Sequence, residues 1–216
     1  MELPRLFKAE PIHDLQADFS SWFDTELGRH LLEEEARLVS RILPDLFGYH
    51  ALQLGQVVGR NLLESSRIRH RCVADSQMPA IEGLSPLRAE PEQLPLANNS
   101  IDLVFIHHGL DGAISPHALL REATRVLIPD GHLLILGFNP YSLWGVWRLF
   151  RRPWAVLPWL RRPVSPHRLA DWLALLDLEV VGLESACFVP PLTHATIRRR
   201  FTWLESLGRR YWSQGG

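Results

Sequence analysis

Lysine is almost absent from this chain: of its 23 basic residues only Lys8 is a lysine, and the rest are arginine. A P-loop needs a Gly-Lys-Ser/Thr run against the phosphates and a Tyr-x-x-x-Lys dehydrogenase needs a helix-borne lysine, so neither can be built here. A Schiff-base enzyme would have to use Lys8, inside an N-terminal tail. Cysteine is equally scarce. Cys72 and Cys187 form no disulfide framework and no metal-ligand spacing, so no metal ligands are expected and a reducing, cytoplasmic setting is. There is no run of about 18 apolar residues and no signal-peptide core in MELPRLFKAEPIHD, which again points to a soluble cytoplasmic chain or one peripheral to a membrane. The net charge of −1 gives no reason to favour nucleic acid as a partner.

What remains is 216 residues, 46% hydrophobic and 22% charged, enough for one sizeable core with appendages. TELGRHLLEEEARLVSRIL, residues 25–43, spaces Leu27, Leu31, Leu32, Leu38, Val39 and Ile42 as a helix that ends before Pro44. Trp22 and Phe23 ahead of it are read as packing that helix on the core. Residues 49–55 look like a buried strand that enters a helix over 57–66 through a glycine loop. A strand over 69–74 then ends at Asp75. A strand over 101–106 contains Asp102, a helix covers 117–126, Pro129-Asp130-Gly131 ends it, and another strand covers 132–137. A helix over 164–176 has Ser165 as N-cap and Pro166 at its first position, and 179–188 reads as a further strand. Strands alternating with helices argue for a parallel sheet covered on both faces.

The most specific stretch is residues 89–136, AEPEQLPLANNSIDLVFIHHGLDGAISPHALLREATRVLIPDGHLLIL. It resembles the second half of the cofactor domain of class I S-adenosylmethionine (SAM) dependent methyltransferases, in the broad type 11 group. That domain's pattern runs from an acidic loop through Leu-Pro and Phe-Asp-Leu-Val to Leu-Arg-Glu-x-x-Arg-Val-Leu-x-Pro-Gly-Gly. The upstream glycine loop is degenerate. Where the family has acid-x-Gly-x-Gly-x-Gly, this chain has Gln53, Gly55, Val57 and Gly59. Valine resists positive φ and adds two methyls where the cofactor's methionine part lies against bare backbone, and glutamine lacks the charge that holds the SAM ammonium.

The resemblance implies a Rossmann-like, doubly wound α/β fold with a mostly parallel sheet of six or seven strands in the order 3-2-1-4-5-7-6. It also implies SAM as cofactor, bound by Gln53, Gly55, Gly59, Asp75 and Glu90. Asp75, 20 residues after Gly55, has the spacing of a ribose ligand; its alternative is a loop aspartate that caps the next turn. Glu90 matches the acid that meets the adenine amino group, with Glu92 as fallback. Of His107 and His108 at a strand end, alternation lets one face the cofactor, and His108 is the candidate base or substrate contact. The expected organisation is a helical segment over 1–44, a core over 45–188 and a tail over 189–216 in which no seventh strand is legible, so that the sequence is either cut short or pairs differently. The core carries an insert over 139–163 that holds Trp144, Trp147, Trp154 and Trp159 among five arginines. Residues 141–163 are read either as a structural cap or as a flap for peripheral membrane contact. The function implied is methyl transfer from SAM to a small-molecule or lipid- or quinone-like acceptor. The alternative is a binding or scaffold protein that has kept the fold and lost the cofactor.

Overall fold

The computed structural model describes residues 22–55, 60–78, 80–113, 115–140 and 164–184. Helix α1, Glu26–Ile42, starts where Thr25 Oγ1 accepts the Gly28 amide at 3.1 Å while donating to the Trp22 carbonyl at 2.6 Å. A Cβ on Gly28 would overlap the Trp22 carbonyl and Phe23 Cα, so this glycine permits the tight approach that drives Phe23 into the core. Leu31, Leu32, Leu38 and Val39 are buried along one face, and the 3-10 turn Leu43–Asp45 ends the helix at Pro44.

Five strands follow: β1 His50–Leu54, β2 His70–Asp75, β3 Ser85–Arg88, β4 Ile101–His107 and β5 Leu127–Leu136. All neighbours pair in parallel, in the order β3-β2-β1-β4-β5. This is an α/β fold whose five described strands match the first five places of the expected order. Asp102 in β4 accepts the Tyr49 and His50 amides at 3.0 and 2.9 Å and so ties down the entry to β1. Strand alternation sorts the core into two layers. Ala51, Leu103 and Phe105 face α1, whereas Leu52, Leu54, Val104 and Ile106 face α3, Pro116–Val126, and α4, Pro166–Ala174, with the short α2, Gly109–Gly112, leading into α3. Ser115 and Ser165 cap α3 and α4, each followed by a proline at the first helical position.

Three expectations change. The helix expected over 57–66 is absent from 60–66, which form turns, and 56–59 lie outside the described residues. Side chains compete for the backbone there: Asn61 Oδ1 takes the Leu63 amide, Ser66 Oγ takes the Ile68 amide, and Arg71 donates to the Leu63 and Glu64 carbonyls. Strand β3 was not anticipated; it is four residues long, contains Pro86 and sits mostly exposed at the sheet edge. Residues 179–184 form no strand and leave Val180, Val181 and Leu183 exposed, while 185–188 and the Trp/Arg-rich stretch 141–163 lie outside the described residues.

The Leu-Arg-Glu-x-x-Arg segment has a structural task. Glu122 accepts the Leu94 amide at 2.7 Å and pairs with Arg125, whose guanidinium also donates to the Leu94 and Leu96 carbonyls and to Asn98 Oδ1. The Arg125 hydrogen bonds hold the Glu122 carboxyl below its usual range. This clasp fastens the loop before β4 to α3. Arg125→Ala is expected to cost about 2 kcal/mol through lost charged hydrogen bonds, which lowers Tm by about 4–8 °C in a chain of this size; a thermal melt followed by circular dichroism checks this.

Candidate functional site

In open parallel sheets, ligands bind beyond the carboxyl ends of the strands where the strand order reverses. Here that place is the exit of β1, between β2 and β4. Gln53 points to the α1 face and is 1% exposed; its Nε2 donates to the Gly55 carbonyl at 3.1 Å, and its Oε1 is buried with no hydrogen-bond partner among the described residues. A buried acceptor without a donor costs about 1–3 kcal/mol. Gly55 has φ +86°, a conformation that disfavours any side chain. Among the described residues, nothing stands within 4 Å of a Cβ placed at Gly55, whose carbonyl is bonded by the same Gln53 amide that carries the unpaired oxygen.

Asp75 ends β2 and is 2% exposed; its Oδ1 accepts the Gln77 amide at 2.9 Å and its carbonyl accepts the Ala89 amide. The carboxylate thus caps its own turn, the alternative reading, and is held in one orientation at the strand end. Glu90 is exposed in the loop after β3 and bridges to Gln93 through the backbone. Gly59 and Val57 lie outside the described residues.

The two histidines do not divide between the layers as expected. His107 faces α1, as alternation requires, but His108 lies beyond the last residue of β4 with φ +52°, and this left-handed turn swings its ring back to the same side. Both Nε2 atoms converge on one carboxylate. Glu35 of α1 holds His107 Nε2 at 2.9 Å and His108 Nε2 at 2.8 Å. His108 Nδ1 is held by Asp111 at 3.0 Å, and Asp111 accepts the Phe138 amide that follows β5 at 3.1 Å. Phe138 stacks on His108 at 4.3 Å and Phe23 packs against both rings.

Charge settles in this cluster unevenly. Burial by itself raises the Glu35 carboxyl, but the charge of His108 and hydrogen bonds from both imidazoles outweigh it and lower the pKa to about 2. Burial likewise disfavours the His108 cation, yet Glu35 and Asp111 together raise its pKa to about 10. His107 goes the other way, lowered by burial and by the neighbouring cation, which outweigh the hydrogen bond to Glu35 and the charges of Glu35 and Asp111. Held between Glu35 and Asp111, His108 is favoured as the cation, and both of its ring nitrogens are engaged by carboxylates.

The family model for a methyltransferase domain matches residues 47–135, the stretch from the entry of β1 to β5. Over this stretch the chain is similar to the methyltransferase domain family. The uncharacterized protein YafS of Escherichia coli (strain K12) is 32% identical over 160 residues, which cover 74% of this chain and 65% of YafS. The demethylmenaquinone methyltransferase of Chlamydia pneumoniae is 36% identical over 83 residues, 37% of this chain and 35% of that protein. The chain thus spans just under two thirds of the first relative and about a third of the second. A solved SAM-dependent methyltransferase from Thermotoga maritima shares the fold, with a TM-score of 0.62 at 20% identity over 78% of this chain and 81% of its own.

The methyltransferase domain as matched includes His107, His108 and Asp111 but not Glu35. Glu35, His107 and Asp111 were missed as a group because 72 residues separate Glu35 from His107. One signal was legible: Glu35 lies four residues after Leu31 and three before Leu38, in phase with the apolar stripe of α1.

The linkage of the cluster to stability follows from the shifts. The Glu35 contribution is complete above 4.5 and lost as pH falls through about 2; the His108 contribution is complete below 6.5 and lost as pH rises through about 10. His107, lowered from 6.5, adds to the loss on the acid side. Glu35→Gln is expected to cost about 3–5 kcal/mol at neutral pH by leaving a buried cation short of its partner. It should also flatten the alkaline fall in stability, as read from urea unfolding across a pH series in EDTA-containing buffer. An unchanged alkaline slope in the variant would place that titration elsewhere.

Proposed function

We propose that the chain is a SAM-dependent methyltransferase whose acceptor is a small, apolar, quinone-like molecule. The observation that carries the cofactor half is the buried, unpaired Gln53 Oε1 beside the open backbone at Gly55. An ammonium group is a donor of the kind this acceptor lacks, and a side chain at Gly55 would fill the adjoining space, so the residues present fit SAM. Gln53 would take the ammonium, Gly55 the methionine part, Asp75 the ribose hydroxyls and Glu90 the adenine amino group. Bound SAM supplies an electrophilic sulfonium methyl, and its transfer to an in-line nucleophile depends on proximity more than on a strong base. That requirement suits a β4 exit at which His108 is locked by Glu35 and Asp111 rather than available for proton transfer. The acceptor class is supported by the similarity to a protein named demethylmenaquinone methyltransferase and by the tryptophans and arginines that the sequence sets after β5, a composition suited to an apolar ligand or an anionic surface.

Titration calorimetry with SAM and with S-adenosylhomocysteine tests the cofactor half. Binding is expected; Gln53→Glu should tighten it about tenfold by restoring a charged hydrogen bond, Gln53→Leu should weaken it about tenfold, and Gly55→Val should abolish it. No heat and no thermal shift at millimolar ligand would favour the scaffold alternative. The acceptor is tested by transfer of labelled methyl from SAM to a short-chain demethylnaphthoquinol, where binding of SAM without any transfer would sink the quinone reading alone.

A further inference from the structure

The cluster at the β4 exit is more organised than an ion pair needs. Two adjacent imidazoles would ordinarily point to opposite faces of a strand, and the left-handed backbone at His108, a conformation costing about 1–3 kcal/mol in a non-glycine residue, is what brings them together. One donor atom from each of Glu35, His107 and His108 lies within 4.8 Å of the others, and all three residues are buried. We propose that Glu35, His107 and His108 form an interior site for a first-row divalent cation, with Zn²⁺ the ion that two imidazoles and a carboxylate suit best.

Three further features fit a ligand set. Asp111 binds Nδ1 of His108 at 3.0 Å, fixing the tautomer that leaves Nε2 as the ligand, the arrangement in which a second carboxylate orients a metal-bound histidine. Two carboxylates and two neutral imidazoles sum to a charge that one divalent cation cancels, and among the described residues no arginine reaches salt-bridge distance of Glu35 or Asp111. Phe23 and Phe138 wall the cluster with aromatic surface, which restricts solvent access to the one water needed to complete four-coordination around three protein ligands. The Nε2 to carboxylate distances of 2.8 and 2.9 Å are those of hydrogen bonds, whereas ligands on a tetrahedral ion with bonds of about 2.0–2.1 Å stand about 3.3 Å apart. On the ion these two contacts, made to different Glu35 oxygens, widen by about half an ångström, and the widest separation in the set, up to 4.8 Å, closes by up to about 1.5 Å through side-chain rotation; the ion replaces the protons the imidazoles otherwise share with Glu35. The ion would pin α1 to the ends of β4 and β5, whatever the cofactor chemistry beside it.

The test uses the full chain, free of any tag, and reads metal rather than methyl transfer. Elemental analysis of protein as isolated, and of protein unfolded in EDTA and refolded with Zn²⁺ or Co²⁺, should give about one equivalent, with Co²⁺ producing the visible bands of a tetrahedral site. Zinc X-ray absorption on the wild type should show nitrogen and oxygen neighbours that include two imidazoles and no sulfur. Asp111→Asn is expected to weaken the ion about 10–100-fold, and Glu35→Gln and His107→Gln more than that. His70→Ala should change nothing, because the exposed His50 and His70, with the half-buried Cys72, lie at the opposite end of the sheet. The proposal is overturned if neither preparation of the wild type holds stoichiometric metal, or if the absorption spectrum shows sulfur or fewer than two imidazoles. It is equally overturned if folded Glu35→Gln protein retains wild-type affinity; where that variant fails to fold, the wild-type spectrum and Asp111→Asn decide.

Discussion

The carboxylate of Glu35 is the constraint on which the rest of this molecule depends. It is fully enclosed, remains charged because two imidazoles meet its two oxygens, and cannot leave water at tolerable cost unless both histidines are in place. That condition fixes the rotation of α1 on the sheet, forces His108 into a left-handed turn and, through Asp111 and the Phe138 amide, sets where the chain emerges from β5. A helix that precedes the stretch matched by the family model thereby packs against the carboxyl end of β4.

Next to this rigid corner, the β1 exit is left underfilled. Gln53 sits where methyltransferases of this class carry an acid, and its amide splits into a satisfied end, bonded to the Gly55 carbonyl, and an unsatisfied one. The position is not ordinary core, since an apolar residue would fill a buried place at lower cost than an oxygen with no partner among the described residues. The polar atom persists at the point where the glycine leaves space, and that coincidence is harder to reconcile with a purely structural role than either feature alone.

Much of the fold could be read in advance because it rests on local signals. Thr25, Ser115 and Ser165 start helices by capping, Pro44 stops one, and apolar runs interrupted only by Gln53 and Asp102 mark β1 and β4. What was illegible depended on contacts between distant residues. The turn over 60–66 comes from Asn61, Ser66 and Arg71 outbidding the helical pattern, and β3 is too short and too polar to announce itself. Of the candidate site, the places of Gln53 in β1, Gly55 at its exit and Asp75 at the end of β2 were legible from the sequence. The histidine pair was seen, but its geometry was misjudged, because strand periodicity carries no information about a backbone that turns left-handed one residue past the strand.

The clasp between Arg125 and the loop before β4 bears on how the molecule breathes. Leu94 gives its amide to Glu122 and its carbonyl to Arg125, so that loop is stitched to α3 at both polar groups of one residue. Solvent can reach the Leu94 amide only when the helix end itself opens, and its hydrogen exchange will be governed by a cooperative event shared with α3 rather than by independent loop motion. Glu90, four residues earlier, hangs outside the clasp in exposed chain. The loop is therefore anchored at both ends, at Leu94 to α3 and at Ala89 to the Asp75 carbonyl of β2, and Glu90 projects from the chain between those two points.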